Sequence, residues 1–331
     1  MLDPYYLLIA VVILALAYNF TNGWHDTANA IATVVGTRTL TAWQAIALAA
    51  VLNLVGAFFS TEVAKAIGND IVDPKSVTLV VLVAALIAVI VWNVVTVLIG
   101  LPTSSSHALI GSLIGAAVAH RGPSILQAKG IMVILIGMLI SPVLGALMGA
   151  GLMKLIRRIF GNTPRAKVKS IFKYLQIISS GFMAFSHGAS DAQKAMGIIA
   201  MALMAYGHQT SLTVPLWAQI AAALLMAAGT AAGGQKIIHT IGSRLSRLET
   251  PQGFAAETGA ALLLTVVAKV GVPVSTTHTI TGSIIGVGAA ERLRSVRWSV
   301  ATKIVYAWIL TLPGTALMGY LFYYVFRIFE A

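Results

Sequence analysis

Pro102-Thr103-Ser104-Ser105-Ser106-His107 returns 171 residues later as Pro273-Val274-Ser275-Thr276-Thr277-His278. The match continues through Gly111-Ser112 with Gly282-Ser283, and Gly115 with Gly286. Proline cannot continue a helix, and the hydroxyl residues after it are preferred caps for the helix that follows. Each copy therefore predicts a chain reversal between two helices with hydroxyl groups at its tip. A second polar motif is also duplicated. Asn22-Gly23-Trp24-His25-Asp26-Thr27-Ala28-Asn29-Ala30 lines up with His187-Gly188-Ala189-Ser190-Asp191-Ala192-Gln193-Lys194-Ala195 at an offset of 165, each with a glycine three residues before an aspartate.

Both motifs sit in strongly apolar sequence. A helix that crosses the hydrocarbon core needs roughly 20 apolar residues. Long candidates are residues 5–20, 42–59, 77–99 and 131–156, then 171–185, 216–232, 254–270 and 299–326. Shorter stretches at 27–35 and 107–119, then 192–206 and 278–290, give each half the order long, short, long, long, short, long. Duplicated motifs on a duplicated segment pattern mark an internal repeat. If each opening long–short pair is one broken span, and each His-containing short segment crosses or dips into the membrane, each half makes five passes. An odd number inverts the second half relative to the first. The expected fold is an all-α polytopic membrane protein of two inverted-topology repeats with discontinuous helices and helical hairpins. Its parts are a first repeat at 1–156, a basic cytoplasmic linker at 157–170 and a second repeat at 171–331.

Composition agrees. Of 331 residues, 58% are hydrophobic and 10% charged, with mean hydropathy +0.89. Soluble domains carry about 25% charged residues, so a water-soluble enzyme is excluded. The apolar content excludes a disordered chain, and the absence of cysteine excludes a disulfide scaffold. The net charge of +12 follows from topology rather than from a nucleic-acid partner. With both termini outside, 14 Lys and Arg residues fall on the cytoplasmic side and six outside, as the positive-inside rule requires. The glycine-rich stretches 145–151 and 229–234 lack the strand context of a dinucleotide fold and read as close helix packing.

A charge at the bilayer centre costs about 2.5–3.5 kcal/mol on insertion scales. Asp26 and Asp191, at matching positions, therefore read as cation or proton sites: a carboxylate in low dielectric is either protonated or neutralised by a cation. Asn29 shares a helix face with Asp26, and Gln193 and Lys194 take the equivalent places beside Asp191; an amide there can donate to an oxyanion. Lys194 reads equally as a neutralising charge or as a side chain that snorkels to the interface. Ser104, Ser105 and Ser106, with Ser275, Thr276 and Thr277, stand at helix starts, where free N–H groups and a partial positive charge suit a tetrahedral oxyanion. His107 and His278 read as a proton relay or as hairpin hydrogen-bonders. Glu257, at the start of an apolar segment, reads as an interface residue or an additional cation ligand. From the residues alone, the chemistry reaches an anion–cation symporter with its site near the membrane midplane.

At these motifs the chain resembles the inorganic phosphate transporter (PiT) family, whose signature has the form G-x-N-D-x-A-N-A. Gly23 to Ala30 matches the first-half signature, and Phe185 to Gly197 resembles a second-half bacterial form. The resemblance covers essentially the whole chain. It implies import of inorganic phosphate driven by Na⁺ or H⁺, or of a metal–phosphate complex, by alternating access in the bacterial inner membrane. Members often form homodimers. Carried over, Asp26, Asn29, Asp191 and Gln193 belong to the cation and phosphate site, and Ser104, Ser105, Ser275 and Thr276 bind phosphate. No cofactor is implied beyond a bound Na⁺ or divalent cation travelling with phosphate, and no metal-ligand set is assigned. His25 and Ser190 stand where the signature often has asparagine, and Gln193-Lys194 replaces its Ala-Asn; this shifts the expectation toward H⁺ or metal–phosphate.

The rivals are a sulfate symporter of the same architecture, an anion channel, and an intramembrane hydrolase using Ser104, Ser105 or Ser106 with His107. Neighbouring residues in sequence rarely reach the geometry of a nucleophile and its base, so no catalytic residue is assigned. Phosphate differs from sulfate in carrying a proton that an aspartate can accept.

Overall fold

The computed structural model describes residues 3–329, which are helical apart from short connections and two isolated bridges, Val72 with Leu126 and Ser246 with Val296. The first half forms α1 (Pro4–Gly36), α2 (Ala42–Gly56), α3 (Glu62–Asn69), α4 (Leu79–Ile99), α5 (Ser105–Arg121) and α6 (Ala128–Phe160). The second half forms α7 (Arg165–Ala205), α8 (Leu216–Ala232), α9 (Gln235–His239), α10 (Thr250–Val270), α11 (Thr276–Glu291) and α12 (Trp298–Phe326). A π-helical turn, Thr240–Leu245, continues α9.

The hairpins α4–α5 and α10–α11 are built by the same local devices. Gly100 (φ 73°) and Gly271 (φ 83°) end α4 and α10 in the left-handed region that suits glycine. Pro102 and Pro273 follow. Ser104 and Ser275 then cap the next helix, each Oγ accepting the amide N–H of His107 or His278 at 3.2 Å.

The halves are interlocked. α5 packs on α12 while α11 packs on α6; α1 packs on α8 while α7 packs on α2. Glycines set the separations. A Cβ on Gly115 would lie 1.8 Å from the Ala316 carbonyl oxygen, and one on the matching Gly286 would lie 2.0 Å from that of Ala146. In the glycine-rich stretches, a Cβ on Gly145 would lie 2.3 Å from the Thr279 carbonyl oxygen and one on Gly229 2.0 Å from that of Phe20.

Contacts between α1 and α7 run from Thr37 with Gln176, through Ala30 with Ser180, to Tyr5 with Tyr206. Numbers fall along α7 as they rise along α1, so the two motif-bearing helices are antiparallel. Both are continuous, at 33 and 41 residues, where the alternation of apolar and polar sequence predicts breaks. Several of their polar side chains bond to neighbouring helices rather than to their own backbone, as when Asn19 Nδ2 donates to Ala222 O at 2.7 Å, so a polar residue here does not require a break. The bend lies instead at Gly233-Gly234, where α8 meets α9 and its π turn at 64°. The connection between halves is also shorter than the 157–170 expected. α6 reaches Phe160 and α7 starts at Arg165, so most of that basic stretch is helix.

Among the described residues, five helices (α1, α4, α6, α10 and α12) are long and apolar enough to cross a membrane, and α8 with α9 and the π turn makes a sixth. α5 and α11 have 17 and 16 residues, or ~25 Å at 1.5 Å per residue, short of a ~30 Å core. Leu139 and Leu147 on α6 and Ile309 and Leu310 on α12 are exposed, the apolar outer surface of a protein solvated by lipid.

Gly115→Ala places its methyl group against backbone and should lower thermal stability in detergent by about 1–3 kcal/mol, the usual cost of overpacking. Gly151→Ala, where nothing lies within 4 Å, should be neutral or stabilising; equal melting curves for the two variants would contradict this packing.

Candidate functional site

Asp26 and Asp191 are buried on α1 and α7. A buried charge is tolerated only when paired and hydrogen-bonded, and here the hairpin tips supply partners. Ser105 Oγ donates to Asp26 Oδ2 at 2.7 Å, and Thr276 Oγ1 donates to Asp191 Oδ2 at 3.4 Å. These are the same contact in each half. A second contact crosses between halves: Asn29 Nδ2 donates to Thr277 Oγ1 at 3.0 Å, and Lys194 Nζ donates to Ser106 Oγ at 2.6 Å. Thr277 Oγ1 in turn donates to Asp26 Oδ1 at 3.3 Å, and Ser106 Oγ donates to Val274 O at 3.2 Å, which ties the tips together.

Each carboxylate also has a nitrogen partner. His25 Nδ1 lies 2.7 Å from Asp26 Oδ1, and its Nε2 lies 3.1 Å from Thr103 Oγ1. Lys194 Nζ lies 2.7 Å from Asp191 Oδ1, an ion pair that is off the line of a hydrogen bond. His187 Nε2 lies 3.7 Å from Asp191 Oδ2, and its Nδ1 lies 3.0 Å from Asn53 Oδ1. Asn53 is held by its Nδ2 donating to Thr230 Oγ1 at 2.8 Å. One ligand atom from each of Asp26, His187 and Asp191 falls within 4.8 Å of the others, so carboxylate oxygen and imidazole nitrogen converge as they do around a bound cation. Hydroxyl and amide donors at two helix starts, facing two carboxylates, can hold an oxyanion and a cation side by side.

Ser105, Ser106, Thr276, Thr277, Asn29, Asp26 and Asp191 thus meet in one cluster. Ser104 and Ser275 lie beside it, each accepting a bond at its own helix cap. Gln193 lies elsewhere. Its Oε1 accepts the amide N–H groups of Val63 and Ala64 at 2.9 and 3.2 Å, and its Nε2 donates to Ala189 O. The reason is local: Thr61 provides no side-chain cap for α3, and Gln193 satisfies those otherwise orphaned donors. One residue on, Lys194 points into the cluster. Glu257 is fully buried, not interfacial. It accepts from Thr33 Oγ1 and Ser179 Oγ, and from Gln176 Nε2 at 3.3 Å. Thr33 stands seven residues beyond Asp26, ~10 Å along α1, so this is a separate polar centre. His107 and His278 pack behind the tips with centroids 4.5 Å apart and ring planes tilted by 59°, and the His278 and Trp308 ring centroids lie 3.8 Å apart. Neither histidine bonds a carboxylate; both line a mainly apolar cavity of about 640 Å³ with residues of α6 and α12.

His187, Asn53 and Thr103 also belong to this centre. The signal for Asn53 was an amide inside an otherwise apolar segment, since such a group needs a buried partner.

The Phosphate transporter family profile matches residues 22–319. A probable low-affinity inorganic phosphate transporter of Bacillus subtilis is 43% identical over 322 residues, covering 96% of this chain and 97% of that protein. A protein of the same description from Rhizobium meliloti is 44% identical over 320 residues, covering 96% of each. Among solved structures, the sodium-dependent phosphate transporter superposes with a TM-score of 0.90 at 25% identity, over 98% of this chain and 99% of that one. The family and these relatives are transporters rather than enzymes. With its helices arranged as in a phosphate transporter and its sequence aligned end to end with such relatives, this chain belongs to the phosphate transporter family.

Proposed function

We propose that this protein imports inorganic phosphate across the bacterial inner membrane by cation symport, with the substrate held between the hairpin tips and the two aspartates. The observation that carries this is the duplicated contact of Ser105 with Asp26 and Thr276 with Asp191. It joins oxyanion donors and cation-binding carboxylates in one buried place. Phosphate accepts from Ser105, Ser106, Thr276, Thr277 and Asn29, and donates its own proton to a carboxylate. Sulfate at neutral pH has no such proton and leaves that acceptor unsatisfied.

The antiparallel relation of α1 and α7 supports two repeats of opposite orientation, a design in which one repeat rocks or gates against the other around a central site. The basic segment between the halves is then cytoplasmic. H⁺ is the coupling ion favoured here. Asp26 and Asp191 already have nitrogen partners in His25 and Lys194, which leaves less need for a metal cation than two bare carboxylates would have. Glu257, with its own hydroxyl partners, is a second position for the coupled cation, further along α1.

In proteoliposomes, labelled phosphate uptake should be driven by an inward H⁺ gradient and rise as the outside is made more acidic than the inside. An imposed Na⁺ gradient alone should drive little, and excess sulfate should not compete. Uptake that follows Na⁺ alone would reverse the choice of ion. Asp26→Asn should bring coupled uptake down to that of empty liposomes while the protein stays folded in the membrane; normal transport by that variant would remove Asp26 from the site. Gln193→Ala should reduce stability by about 1 kcal/mol, the usual worth of a helix cap, with KM for phosphate close to that of the unmodified protein. A large rise in KM at unchanged stability would return Gln193 to the binding site.

A further inference from the structure

Between the two halves, the contact from motif helix to opposite hairpin is made twice with one chemical change. Asn29 and Lys194 are equivalent at the motif offset of 165, and their acceptors Thr277 and Ser106 are equivalent at 171. In one copy a neutral amide donates at 3.0 Å; in the other an ammonium donates at 2.6 Å. The ammonium also sits 2.7 Å from Asp191 Oδ1 and is wholly buried. Carboxylate and hydroxyl oxygens are the ligands that hard metal cations take, and Lys194 Nζ occupies the position between them.

We propose that Lys194 is a tethered counter-cation, placed where a co-transported metal ion would otherwise neutralise Asp191. It rests on the phosphate symport proposed above and specifies the charge balance of that same site. A mobile cation crosses the membrane with each phosphate; a lysine side chain neutralises the same carboxylate and stays behind. Asp191 is therefore withdrawn from ion coupling, which is left to the Asp26 half, where the partners are an imidazole and a neutral amide. Each phosphate then crosses with one positive charge fewer than in a transporter that holds a metal ion at both aspartates. Removing the ammonium alone leaves a buried carboxylate uncompensated, and it must recruit a cation from solution.

The test is Lys194→Asn, which restores the residue of the first half, in full-length protein reconstituted into liposomes with labelled phosphate flux and net charge movement recorded together. Replacing Na⁺ by choline should lower uptake by this variant about tenfold, an ordinary size for coupling between two sites, and the charge moved per phosphate should rise by one. The unmodified protein should respond weakly to the same replacement. A variant that binds phosphate yet matches the unmodified protein in Na⁺ response and charge ratio overturns the proposal. The double change D191N/K194M removes the pair without altering net charge and supplies the comparison if Lys194→Asn does not fold. It should keep the unmodified charge-to-phosphate ratio, and a ratio lower by one would mean that Lys194 itself carries a transported proton, which also overturns it. Absence of phosphate uptake by the unmodified protein under any imposed gradient would instead refute the symport function and is distinguishable from either result.

Discussion

Two carboxylates buried at the centre of an apolar molecule must be solvated by the protein itself, and the rest of the architecture serves that requirement. Asp26 and Asp191 are buried where they stand, so hydroxyl groups are brought to them. A helix that ran straight through could offer few free donors, because its backbone N–H groups are consumed internally. The chain therefore reverses at Gly100 and Gly271, cannot resume a helix before Pro102 and Pro273, and restarts with hydroxyl residues whose side chains meet the carboxylates. Glycine contacts such as Gly115 with Ala316 and Gly286 with Ala146 let these short helices lie deep between the longer ones.

The scaffold is symmetric and the chemistry laid on it is not. Backbone devices recur in both halves: left-handed glycines, serine caps, isolated bridges, and glycines pressed on a carbonyl. The charged groups differ. Asp26 has His25, with Asn29 reaching it only through Thr277; Asp191 has Lys194 and His187. Glu257 lies at the position matching Leu86 in the first half. Packing is preserved by a duplicated backbone because each close contact constrains both partners. A polar side chain inside the shared centre can change with only its hydrogen-bond partner to satisfy. Two halves that share backbone devices can thus differ in the charged groups they place in the common centre.

Much of the fold and part of the site were legible before any coordinates. Duplicated proline–hydroxyl motifs and paired aspartates carry strong information because an apolar sequence keeps a polar group only where something satisfies it. The places where pattern misled share one cause. Polar residues within α1 and α7 look like helix breaks when helices are considered singly, yet neighbouring helices supply partners to several of them and the backbone stays regular. Gln193 and Lys194 are adjacent in sequence and about 100° apart around the helix; which of them faced the site depended on α3, a short helix whose uncapped start drew the glutamine away.

Sequence by itself determined the membrane-helix class, the internal duplication, the hairpin turns and the identity of the central acids and hydroxyls, because these rest on local backbone rules and on the cost of placing polar groups in an apolar setting. Only tertiary structure decided that α1 and α7 lie antiparallel, that each hairpin reaches across to the opposite half, and that Lys194 rather than Gln193 closes on Asp191. Those outcomes depend on which donors and acceptors meet in three dimensions, and that pairing follows from helix packing rather than from any one segment's composition.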